Sequence, residues 1–176
     1  MKIDLKTRRG ARLFFCLVLI LAFCLVYSSA QEKMKIGGEL TVKFLTREAQ
    51  EVGDAEGHAV TLSTLEGISK STGEQTFMDG GKVLIIGMSD AIQGNGSSWG
   101  YVKMTQGDDV VFAKYKGKVT TTMAEGNPIT TYEVEAKFLK GAGKYANIQG
   151  GYKAKAKVIS ETELSIKWEG AYFIKE

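Results

Sequence analysis

The strongest constraint on this chain is a two-residue alternation of apolar and polar side chains, recurring from Glu39 almost to the C-terminus. That period places successive side chains on opposite faces of an extended strand. An amphipathic helix needs apolar positions every three or four residues instead. In the last stretch Leu164, Ile166, Trp168, Gly170, Tyr172 and Ile174 share one face. Ser165, Lys167, Glu169, Ala171 and Lys175 share the other, with Phe173 the exception. Before it, Tyr152, Ala154, Ala156 and Val158 oppose Lys153, Lys155 and Lys157. Further upstream, Tyr132, Val134, Ala136 and Phe138 oppose Glu133, Glu135 and Lys137, and Val111, Ala113, Tyr115 and Val119 oppose Lys114, Lys116 and Lys118.

The N-terminal half is less regular but similar in kind. Leu40, Val42 and Phe44 begin one strand; His58, Val60, Leu62 and Thr64 mark a second. Residues 83–88 form a continuous apolar run, and residues 99–104 supply a fourth strand. The segments between are turn chemistry, including Asp79-Gly80-Gly81, Gly94-Asn95-Gly96, Gly126-Asn127-Pro128 and Gly141-Ala142-Gly143. The chain has 21 glycines and one proline, which suits tight turns better than helices, and no long amphipathic helix stands out. Eight short antiparallel strands with one apolar face predict an all-β domain over residues 39–175. An eight-stranded up-and-down barrel satisfies that pattern and leaves no exposed edge; a β-sandwich is the alternative.

Charge patterning predicts a register. With Phe138 facing Tyr152, Glu135 lies opposite Lys155 and Glu133 opposite Lys157; on the other flank Lys118 sits beside Glu133 and Lys116 beside Glu135. One acidic row then runs between two basic rows.

Residues 1–30 read differently. Five basic residues and one acid precede an apolar run over residues 13–27, followed by Ser28-Ser29-Ala30. This is the layout of a secretory signal, with cleavage expected after Ala30 and a secreted or periplasmic destination. A retained membrane anchor is the competitor, but the run is shorter than the roughly 20 residues a spanning helix needs. Ala11 and Arg12 spoil a twin-arginine signal after Arg8-Arg9, and Phe23 spoils a lipoprotein box before Cys24. Residues 31–38 form a short lead into the barrel. Of 23 basic and 20 acidic residues, five and one fall in this segment. Cleavage leaves 18 and 19, a near-neutral chain that offers no general argument for nucleic acid or acidic membranes. Both cysteines, Cys16 and Cys24, also leave, and disulfide or thiolate chemistry leaves with them.

One turn is more specific than the rest. Gly141, Gly143, Lys144 and Tyr145, followed by Gly150, resemble the glycine-rich turn of the allene oxide cyclase and dirigent barrel superfamily. Gly94, Gly96, Gly100 and Tyr101 are similar to a glycine-rich hairpin of such barrels. The resemblance implies an eight-stranded antiparallel barrel, a central apolar cavity and a homo-oligomer. Allene oxide cyclases bind a fatty-acid epoxide and dirigent proteins steer phenolic radical coupling, but no catalytic residue of either aligns here position by position. Physically, the two turn glycines permit a tight bend, and Tyr145 and Ile148 can cap one end of a barrel.

Catalytic signals are sparse. His58 is the sole histidine, so a His-rich metal site is excluded and a structural role is expected. Asp90, Asp108 and Asp109 lack the spacing of a calcium loop, and residues 94–98 lack the Lys-Ser/Thr ending of a phosphate loop. Asn95-Gly96-Ser97 is a glycosylation sequon, relevant only in a eukaryotic secretory host. No metal or cofactor is expected. The candidate ligand-binding residues are Tyr115, Tyr132, Tyr152, Trp168 and Tyr172, whose large rings alternate with small residues on the inward face. The same rings could interdigitate as a filled core. The expected function is binding of a small apolar or aromatic molecule in the barrel interior. A cyclase- or isomerase-like enzyme working by positioning is the second reading, and a solid interaction barrel the third.

Overall fold

A computed structural model of the chain describes residues 32–176. The expected signal segment and both cysteines lie outside the described residues. Nine strands form one antiparallel sheet: β1 (Met34–Glu51), β2 (His58–Ile68), β3 (Lys70–Ser71), β4 (Lys82–Ile92), β5 (Asn95–Gln106), β6 (Asp109–Ala124), β7 (Asn127–Ala142), β8 (Ile148–Val158) and β9 (Glu163–Ile174). The order is β2-β4-β5-β6-β7-β8-β9-β1, and β1 also pairs with β2. Eight strands therefore close an up-and-down ring in chain order, and each apolar run of the alternation lies in one of them. The two-residue β3 pairs with β1 at Gly38 and Glu39, below the point where β2 begins to pair. β1 starts at Met34, so the last residues of the expected lead are strand.

Closure turns the alternating apolar faces into one core. Val42, Val102, Val111, Ala113, Phe138 and Ile166 are among the buried residues. Where the wall is crossed by rings, small residues stand opposite them. Gly100 lies opposite Tyr115, Gly170 opposite Tyr152, and Gly38 opposite Trp168. A Cβ at Gly38 would fall inside the Trp168 indole, so the indole is seated on bare backbone.

Two expectations are corrected. Ala136, not Phe138, faces Tyr152, so Glu135 pairs with Lys153 and Glu133 with Lys155. The reason is the connection. β7 runs on to Ala142 against β6, and the chain then makes a 3₁₀ turn at Gly143–Tyr145 before β8. The shift is two residues, which preserves which face each side chain occupies. Hence the acidic row still meets both basic rows: Lys116 is opposite Glu135 and Lys118 opposite Glu133. On the β8 side the Nζ–Oε distances are 3.3 Å for Lys153–Glu135 and 3.1 Å for Lys155–Glu133.

The second correction concerns β2. His58, Val60, Leu62 and Thr64 do not form its inward face; Leu65 is buried and Leu62 is 45% exposed. Leu65 faces Phe44 and Ile85, both on the inner wall, and this sets the parity of the strand. Thr61 and Ser63 are thereby turned inside, where an apolar count would not put them.

Candidate ligand cavity

The two ends of the barrel interior are built from different materials. At the end where β1 begins and β9 finishes, residues 69–81 fold back and insert Phe77, which is completely buried. Its ring packs on Tyr145 at 4.9 Å, Tyr172 at 5.2 Å, Phe138 at 5.7 Å and Trp168 at 5.8 Å. Met78 beside it is also buried, and its N–H donates to the Tyr145 hydroxyl at 3.4 Å. Tyr145 is held in place by Asp109, whose carboxylate accepts the Lys144 backbone N–H at 2.9 Å and pairs with Lys144 Nζ at 2.9 Å. Those bonds to Lys144 lower the Asp109 pKa. Tyr145 and Ile148 thus cap this end, as their turn predicts, but the centre of the plug is Phe77. An isolated Phe-Met pair inside an otherwise polar, glycine-rich connection was the available signal for it.

Towards the other end the interior stays open. The centre of a water-sized sphere can move through about 110 Å³ there, several times what one water needs. The deeper wall is apolar, with Leu65, Ile85, Val102, Leu164 and Ile166. Nearer the mouth come the half-buried hydroxyls of Thr61, Ser63 and Ser89 and the exposed cation Arg47, while the Ser98 hydroxyl is buried beside Tyr115. Four of the five sequence candidates, Tyr115, Tyr132, Tyr152 and Trp168, line this cavity. Tyr172 belongs to the plug, against Phe77 and Tyr145.

Each lining group has a local cause. Tyr115 reaches across the inner wall, where a Cβ on Gly100 would lie 2.8 Å from its ring and one on Gly87 would lie 2.5 Å from its hydroxyl. Glycine at both positions gives the ring its path. Burial pushes its pKa up to about 12, with the Ser98 hydroxyl acting as a partner that pulls the other way. Burial also raises Tyr132 and Tyr152. All three phenols are therefore neutral near pH 7, able to donate a hydrogen bond and unfit to act as bases. Trp168 Nε1 is buried without a hydrogen-bond partner, an uncommon state for an indole N–H.

Arg47 enters by a bulge. Phe44 pairs with Leu65 and Thr46 with Thr64, so Leu45 is an extra residue that switches the phase of β1. Beyond it Arg47, opposite Ser63, faces the interior, and its guanidinium lies over the Phe44 ring at 5.4 Å. Among the described residues lining the cavity, Arg47 is the one that carries a formal charge. Sequence reasoning missed it because a strict alternation from Phe44 points it outward.

His58 does not line the cavity. It sits at the start of β2 between two carboxylates, bonding Asp54 through Nδ1 and Asp90 through Nε2, the latter at 2.8 Å. Both ring nitrogens must donate to satisfy both acids, which favours the imidazolium. The hydrogen bonds to Asp90 and then to Asp54 raise the His58 pKa, and the bond to His58 lowers that of Asp54. The cluster ties the β1–β2 hairpin to β4.

No protein-family model matches the chain, and no curated protein matches it. Among solved structures, the pterocarpan synthase dirigent protein aligns with 82% of this chain and 91% of its own, at 10% identity and a TM-score of 0.43.

Proposed function

We propose that the protein is an exported barrel that binds a small, largely apolar or aromatic molecule in the open half of its interior. The observation that carries this reading is the composition of the cavity wall. Aromatic faces and aliphatic side chains supply contact area, while Tyr115, Tyr132 and the rim hydroxyls supply a few directional donors. The wall's chemistry suits holding and orienting a molecule, since burial keeps its three phenols protonated near pH 7.

Native mass spectrometry of protein purified from its own host tests the reading. Co-purified small-molecule mass, lost on substituting Tyr115 and Tyr132 together by Phe, is the expected result. A bare chain that also shows no thermal shift across an aromatic and lipid panel would contradict it. Export is tested separately, by N-terminal sequencing of the protein from its host, which should begin at Gln31.

A further inference from the structure

Resting on the reading of the cavity as a binding site, we infer that its ligand is a carboxylate built on a single ring, with the ring inside and the carboxylate on Arg47 at the mouth. Three features of the site converge on this class. The first is polarity along the cavity: apolar side chains line the deep wall and hydroxyls the rim, with Arg47 as its charged member. A molecule with one apolar end and one anionic end matches that gradient.

The second feature is how Arg47 is presented. The bulge at Leu45 turns it inward, whereas its neighbour Glu48 pairs with the outward-facing Leu62 and stays outside. The Arg47 Cζ lies 5.4 Å from the Phe44 ring centroid, and among the described residues no hydrogen bond or ion pair engages its N–H groups, a planar fork able to grip a carboxylate at two points. Tyr132 lies close enough to feel this charge, which lowers its pKa against the larger effect of burial. Its neutral hydroxyl can share the same anion.

Size is the third. An apolar protein cavity of about 150 Å³ holds one benzene ring. The space here, about 110 Å³ before it opens at the rim, is of the order that a single ring fills.

Calorimetric titration of the whole protein with phenylacetate, with its neutral isostere phenylacetamide and with palmitate tests the inference. Phenylacetate should bind about fivefold or more tighter than phenylacetamide, and raising the salt concentration should erode that preference. Arg47→Gln should abolish the preference and Arg47→Lys should keep part of it, with an unchanged near-ultraviolet circular dichroism spectrum showing that the cavity of each variant is intact. Equal binding of acid and amide to the unaltered protein, or an equal loss of both in the variants, overturns the carboxylate assignment and leaves the cavity reading standing. Tighter binding of palmitate overturns the size assignment. If none of the three compounds binds the unaltered protein, the cavity reading itself falls.

Discussion

The closed and open ends of this barrel share one set of strands and one alternation rule, yet they solve opposite problems. At the closed end a loop contributes Phe77 and a 3₁₀ turn contributes Tyr145, and rings meet rings at 4.9–5.8 Å. At the open end a bulge and a parity change bring in Arg47, Thr61 and Ser63, and space remains. The strands alone therefore do not decide whether such an interior is a core or a pocket. Side chains delivered by irregular segments decide it.

That contrast can be broken most directly at Phe77. Phe77→Ala removes a fully buried ring touching four others and should cost about 3–5 kcal/mol in urea unfolding. Tyr132→Phe at the open end should cost well under about 1.5 kcal/mol. Equal costs would show that the two ends are not different in kind. Next in size is Gly38→Ala. The new methyl must displace the Trp168 indole, and overpacking of this sort costs roughly 1–3 kcal/mol. Its near-ultraviolet circular dichroism should change as the indole moves.

The two ends should also respond differently to pH. His58 clamps the β1–β2 hairpin on the open half, and its folded pKa is raised. A raised pKa means that its contribution is full below the unfolded value of about 6.5 and is lost as pH rises through the folded value. Asp54 has a lowered pKa, so its contribution is present above the unfolded value near 3.8 and is lost as pH falls through the folded one. The clamp is then strongest between about pH 4 and 6.5. Protection factors of β2 amides near His58 should fall above that window, while those of amides around Phe77 should hold. His58→Gln should flatten the difference. The smallest effect belongs to the outer wall. Glu133→Gln breaks an exposed pair with Lys155 and should change stability by less than about 1 kcal/mol in the same unfolding assay. A larger loss would mean that the charge rows, rather than the interior, hold the open half together.

Much of the fold was legible because strand alternation is a local property. The inward placement of Tyr115, Tyr152 and Trp168 follows from backbone geometry and the need to bury rings. The charge rows on β6, β7 and β8 were legible for the same reason, even though their register with β8 was not. That register depends on how many residues the Gly143–Tyr145 turn consumes, and a two-residue error leaves every face unchanged.

What the sequence determined by itself is therefore the all-β class, the order of eight strands and the identity of most inward rings, since each is encoded within a few neighbouring residues. Only the tertiary structure decided that Tyr172 belongs to the plug, that Phe77 fills one end, and that Thr61, Ser63 and Arg47 line the other. These outcomes depend on contacts between distant segments. Leu65 sets the parity of β2 only because Phe44 and Ile85 lie beside it. Arg47 turns inward only because β1 must absorb Leu45 while remaining paired with β2. A period of two cannot record a single extra residue, and in this barrel one extra residue places the cation at the mouth.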